Sequence, residues 1–188
     1  FLFAVGMSVA LGPARSATAA ASRWRILRRT LLLFLIGLAL EGFPYYDPAN
    51  MRVCGVLQRI ALCYLAAAAL HRLAASSVIV AAVAATLLGY WAILGSYAAP
   101  GFMPGDLTVQ GNIAGYVDRL LLGPHLSVHT DRVFDPEGVL STLPAIGSTL
   151  IGVLAGRFVV ARPGNAVRSL TLASCTQAAP RQRVDPLM

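Results

Sequence analysis

The chain has 188 residues, of which 57% are hydrophobic and 12% charged, and its mean hydropathy is +0.69. Soluble domains carry roughly 25% charged residues, so this composition excludes an ordinary water-soluble fold and points to a multi-pass membrane protein. The net charge is +7 and every basic residue is arginine, but the arginines flank apolar segments and make no basic face. The expected partners are therefore membrane lipids, and nucleic acid is not among them.

Along the chain, residues 1–11 are apolar but too short to span a bilayer, and they lack the basic start of a signal peptide. They read as the second half of a transmembrane helix, and the chain as a fragment. Arg15, Arg23, Arg25, Arg28 and Arg29 follow. Four further apolar segments, 27–45, 53–73, 78–98 and 138–160, each approach the ~20 residues needed to cross the hydrocarbon core. The fold class expected is all-α: a polytopic transmembrane bundle of about four full spans plus one truncated N-terminal span. Arg72 follows the third segment, and Arg157, Arg162 and Arg168 close the fifth. The remaining loops carry Glu41, Asp47, Asp106, Asp118, Asp131, Asp135 and Glu137 with only Arg52, Arg119 and Arg132. The positive-inside rule then puts the arginine-rich connections in the cytoplasm and the acidic loops outside.

The segment 53–73 carries Gln58 and Arg59. A charge inside a span costs several kcal/mol, on the order of 2.5–3.5 at the helix centre, and is usually kept because it faces a bundle interior or a polar cavity. Residues 99–134 form a long loop with a short amphipathic stretch at 113–122, expected as an interfacial helix or re-entrant segment. Asp135-Pro136-Glu137-Gly138 precedes the last span. Its residue types suit a helix N-terminus; alternatively, one carboxylate faces the site that Arg59 lines. Within that span, Ser148, Gly152 and Gly156 make a small-residue stripe. Pro144 is expected to kink the helix, with Ser141 and Thr142 as polar liners.

Other candidates are weaker. His125 and His129 share the outer loop, but two histidines four apart with no intervening Glu are not a zinc motif. His71, beside Arg72, reads as an interface residue. Cys54, Cys63 and Cys175 lack metal-ligand spacing and read as small apolar residues. No metal site is expected. The arginines from Arg23 to Arg29 could grip the phosphates of a cytoplasmic cofactor or anionic lipid headgroups. Residues 163–188 read as a polar tail, disordered or frame-shifted, beside a membrane-embedded domain over 1–162.

Taken in order, several strings resemble the heparan-α-glucosaminide N-acetyltransferase family. They are Phe1-Leu-Phe-Ala-Val-Gly6, Arg28-Arg-Thr-Leu-Leu-Leu-Phe-Leu-Ile-Gly37, Arg52-Val-Cys-Gly-Val-Leu-Gln-Arg-Ile-Ala61, Gly111-Asn-Ile-Ala-Gly-Tyr-Val-Asp-Arg119 and Phe134-Asp-Pro-Glu-Gly-Val-Leu-Ser-Thr-Leu-Pro-Ala-Ile146. The resemblance covers residue 1 to about 156 and stops after about Arg162. It implies a multi-pass enzyme of the bacterial inner (cytoplasmic) membrane that uses acetyl-CoA to acetylate an amino-sugar substrate, the amine of a glucosamine on the outer face. Gln58, Arg59, Asp118, Arg119, Asp135 and Glu137 are then expected along the substrate and cofactor path. The same resemblance implies that the histidine required for transfer lies upstream of Phe1. No catalytic residue is therefore assigned, and the chain as given is expected to be inactive. A homodimer is left open. A transporter or lipid-handling protein without acyl chemistry would explain Arg59 and the long loop as well.

Overall fold

In a bilayer the backbone must satisfy its own hydrogen bonds, so long apolar stretches fold as helices. The computed structural model describes residues 1–12, 19–43, 46–47, 49–127 and 130–161. They form α1 (Leu2–Leu11), α2 (Ala19–Gly42), α3 (Val56–Leu73), α4 (Ser76–Ser96), α5 (Ile113–Leu122), a 3₁₀ turn at Gly123–His125, and α6 (Thr142–Ala161). The fold is all-helical, and α3, α4 and α6 are long and apolar enough to cross a membrane. The other expected full span falls in α2. That helix starts well before residue 27, so Arg23, Arg25, Arg28 and Arg29 ride on its first half instead of lying in a loop. The Arg29 guanidinium sits 4.9 Å from the centre of the Tyr64 ring on α3, a cation–π contact between the two helices. His129, Cys175 and the 163–188 tail lie outside the described residues.

α6 is the centre of the bundle, packed against α1, α3 and α4. Glycine makes its contact with α1 possible. A Cβ on Gly6 would run into the Thr149 carbonyl, one on Gly152 into the Phe3 carbonyl, and one on Gly156 would lie 2.6 Å from the Ala10 Cβ. The stripe is thus Thr149, Gly152 and Gly156, on one helix face. The expected Ser148 is exposed and bonds back to the Pro144 carbonyl at 3.0 Å. Pro144 is the third residue of α6, where a backbone N–H has no intrahelical acceptor, so a kink is not required there. α4 has the opposite character. Ile79 is its buried residue, while Leu88 and Trp91 are 64% and 73% exposed. A helix so apolar on its open face is solvated by lipid, and this is a membrane protein.

The two ends of the bundle differ chemically. At one, Arg157 of α6 donates from Nε to His71 Nδ1 (3.1 Å), from Nη1 to Ser76 Oγ (3.1 Å) and from Nη2 to the carbonyls of His71 and Ala74. It thereby satisfies carbonyls left free at the end of α3. At the other end lie the carboxylates. α5 caps that end as the expected short helix, started by the Asn112 side chain accepting from the Ala114 N–H at 2.8 Å. The residue pair Ala98 and Asn112 bridges the end of α4 to the start of α5.

Candidate functional site

The acidic end is organised around Arg52, in the extended segment that leads into α3. Its Nε donates to Asp135 Oδ2 at 3.0 Å and its Nη2 to Asp135 Oδ1 at 2.6 Å, a two-pronged guanidinium–carboxylate pair. The same Nη2 donates to Glu137 Oε2, and Nη1 lies 3.5 Å from Glu41 Oε1 at the end of α2. One half-buried cation thus holds carboxylates from two other parts of the chain. The Asp135 hydrogen bond, followed by Glu137 and opposed by burial, drives the Arg52 pKa well above the usual arginine range. Asp135 has no exposed side-chain surface, whereas the Glu137 and Glu41 side chains are 20% and 31% exposed.

This pairing overturns the helix-cap reading of Asp135-Pro136-Glu137-Gly138. α6 begins only at Thr142. Asp135 instead closes a turn on itself, its Oδ1 accepting from the Glu137 N–H at 2.9 Å and its carbonyl from the Gly138 N–H at 3.0 Å. Arg59 grips the same turn from the α3 side. Its Nη2 donates to the Pro136 carbonyl at 2.8 Å and to Ser141 Oγ, and Ser141 Oγ bonds onward to the Gly138 carbonyl at 3.0 Å. The expected proximity of Arg59 to this motif is present, but its partners are a carbonyl and a hydroxyl. The carboxylates belong to Arg52. Thr142 bonds back to the Gly138 carbonyl at 2.9 Å, so it is no free liner.

Asp118 and Arg119, adjacent on α5, part company. Asp118 points inward, 1% exposed, with Oδ1 accepting from the Val139 N–H at 2.9 Å. A Cβ at Gly138 would strike its carboxylate, so glycine is what lets α5 close over the turn. Burial pushes the Asp118 pKa up; the Val139 bond lowers it and the neighbouring Asp135 charge raises it further. Arg119 turns the other way, donating to the carbonyls of Val133 (2.6 Å) and Gln110 (3.0 Å). It lines a separate open pocket of about 550 Å³ with Phe102, Tyr116 and Arg132. Gln58 is buried against Gly37 and Gly55, near Glu41. Four of the six expected path residues, Arg59, Asp118, Asp135 and Glu137, therefore gather around the Asp135–Ser141 turn; Gln58 lies beside Gly37 and Gly55, and Arg119 turns to other carbonyls.

Arg52 and Glu41 are the site residues that sequence reasoning passed over. Arg52 had a visible signal: with Arg119 and Arg132 it is one of the few arginines in the connections on the acidic side. His125 supports it indirectly. The His125 Nδ1–H donates to the Met51 carbonyl at 2.8 Å, and the His125 carbonyl accepts from the Val53 N–H at 3.4 Å. Both contacts fix the backbone on either side of Arg52. Cys54, in the same segment, is half-buried, and burial, with the Asp135 and Asp118 charges, raises its thiol pKa. Among the described residues no group of His, Cys, Asp and Glu is placed to hold a metal ion.

Comparison with known proteins matches the sequence of this chain to a family. The sequence model of the family described as heparan-alpha-glucosaminide N-acetyltransferase, catalytic, matches residues 1–182, beyond about Arg162, where the resemblance was expected to stop. The human protein of that name is 28% identical over 211 residues, covering 85% of this chain and 32% of its own length. The mouse protein is 43% identical over 77 residues, covering 34% of this chain and 12% of its own length. The chain thus spans about a third of the human relative. On the match to residues 1–182, the chain belongs to the heparan-alpha-glucosaminide N-acetyltransferase catalytic family.

Proposed function

We propose that this bundle takes part in acetyl transfer from acetyl-CoA to the amine of a glucosamine residue across a bacterial inner membrane. The observation that carries the reading is the acidic-end cluster of Arg52, Arg59, Asp118, Asp135 and Glu137, assembled within the family's matched region. Acetyl-CoA supplies the activated acetyl group. The residues present suit it at both ends: exposed guanidinium groups at Arg23, Arg25, Arg28 and Arg29 fit phosphates, and unpartnered polar atoms on Gln58 and Arg59 await a polar group inside the bundle.

The chain's own residues would then act as follows. Glu41 and Glu137, the members of the cluster with exposed surface, attract the acceptor's ammonium. Arg52 holds them and Asp135 in one geometry, so no reorganisation is needed when charge develops. Asp118, with its raised pKa, is better matched than an ordinary carboxylate to accept a proton near neutral pH. Arg119 sits outside this path and serves the fold of the cap. In this reading the protein works among membrane lipids, with the acidic end outward.

The test is reconstitution into sealed vesicles, with labelled acetyl-CoA on the arginine-end side and glucosamine on the acidic side. Label appearing on glucosamine supports the whole reading and overturns the expectation that this chain by itself is inactive. Binding of acetyl-CoA without transfer assigns these helices the binding part alone. Neither binding nor transfer would sink the proposal.

A further inference from the structure

Gln58 is 2% exposed, and neither its Oε1 nor its Nε2 has a hydrogen-bond partner. Arg59 Nε, on the next residue of α3, is also buried and unpartnered. One turn of a membrane helix therefore carries an unmet acceptor and two unmet donors. Burying such groups forfeits their hydration with nothing gained in exchange, so an unmet set at one place points to a partner that is polar and specific.

Two glycines pack closely around that carboxamide without offering it a hydrogen bond. A Cβ at Gly37 of α2 would lie 2.6 Å from Gln58 Oε1, and one at Gly55 would lie 2.7 Å from it. Any residue but glycine at these positions would press on the amide. The next polar neighbour is Glu41 Oε1, 2.6 Å from the same Gly55 position, and Arg52 holds that carboxylate at 3.5 Å. The amide thus lies near Glu41, at the edge of the acidic-end cluster that Arg52 holds together.

We propose that the Gln58 carboxamide recognises a secondary amide in the pantetheine arm of the acyl donor. Oε1 accepts from the ligand's N–H and Nε2 donates to its carbonyl. A carboxamide offers one donor face and one acceptor face, which is the complement of an amide and of no simple ion. A carboxylate or phosphate would use Nε2 and leave Oε1 facing a like charge. This inference rests on the acetyl-CoA reading above and goes beyond it by assigning which part of the donor Gln58 reads.

The experiment uses the full chain in lipid nanodiscs and measures displacement of labelled acetyl-CoA by two small thioesters. N,S-diacetylcysteamine carries a secondary amide; S-acetyl-2-mercaptoethanol carries none. The wild type should prefer the amide-bearing competitor by about tenfold, the size expected for one or two buried hydrogen bonds. In Gln58→Leu, acetyl-CoA should bind about tenfold more weakly and the preference should vanish. Thermal stability should hold or rise, because leucine removes the two unpaired carboxamide atoms. Gln58→Met, close in length, serves if the leucine variant does not fold. Wild-type affinity and preference in a folded variant would overturn the inference and leave a buried water as the partner of Gln58. If the wild type binds no acetyl-CoA at all, the donor reading itself fails, and this inference with it.

Discussion

Arg52 and Asp135 stand 83 residues apart in sequence and meet in a two-pronged ion pair, Nε to Oδ2 at 3.0 Å and Nη2 to Oδ1 at 2.6 Å. The Asp135 side chain is fully buried and that of Arg52 is 15% exposed. Removing one partner strands the other's charge, which typically costs about 3–5 kcal/mol. We expect Arg52→Ala and Asp135→Ala each to lower thermal stability by such an amount, and the double variant to be no worse than either. Full additivity in the unfolding of the four proteins would show that the pair is not coupled. Arg52→Lys should also be clearly destabilised, since a single ammonium cannot span both oxygens.

Arg59 gives a gentler test. Its Nη2 serves the Pro136 carbonyl and Ser141 Oγ together. A lysine can keep one of these contacts, so Arg59→Lys should cost about 1.5–3 kcal/mol, the worth of one hydrogen bond to a charged group. Ser141→Ala should reproduce part of that loss and add little on top of it. Wild-type stability in Arg59→Lys would mean that the turn is held by Arg52 alone.

Asp118 predicts a pH dependence with a definite sign. Its pKa is raised in the folded protein, so the native state binds its proton more tightly than the unfolded chain does. The stabilisation from that proton is present in full below the ordinary carboxylate pKa and is lost as pH rises through the raised value. Asp118→Asn keeps an oxygen for the Val139 N–H and carries no charge. It should therefore be more stable than wild type at neutral pH, with the gap closing on acidification. A gap that widens in acid would refute the burial argument.

The close approach of α1 and α6 can be probed at glycine. A Cβ at Gly152 would strike the Phe3 carbonyl, while nothing lies within 4 Å of one at Gly89 on α4. Gly152→Ala should destabilise by about 1–3 kcal/mol, as overpacking does. Gly89→Ala should be neutral or stabilising by about 0.5–1 kcal/mol through helix propensity. Equal effects in thermal unfolding would mean that α1 does not pack on α6 as described.

Cys54 reports which way the bundle faces. It is half-buried near the acidic end, whereas Cys63 is fully buried in α3. An impermeant maleimide added outside intact cells should label Cys54 slowly, faster as pH rises, because its raised pKa keeps the thiol protonated at neutrality. Cys63 should be spared. Protection of Cys54 from outside, with labelling from the cytoplasmic side of inverted vesicles, would reverse the topology.

Composition and hydropathy are enough to give the class of this protein. Hydropathy requires helices because a bilayer leaves the backbone no other partner, and the arginine distribution separates a basic end from an acidic one. Arg59 and the Asp135–Gly138 string were legible as site material, since a charge in a span and acids at its mouth both need a reason to be there. Which side chain pairs with which depends on how the helices and loops pack. Periodicity places a residue on a helix face but cannot say which of two arginines meets a carboxylate 83 residues away, and Arg52 took the carboxylates expected near Arg59. Adjacent residues on α5 likewise diverge because successive helical positions face different directions, sending Asp118 to the site and Arg119 to another pocket. The unpaired amide of Gln58 could be seen only once Gly37 was in place beside it, because whether a polar group has a partner is a property of the space around it.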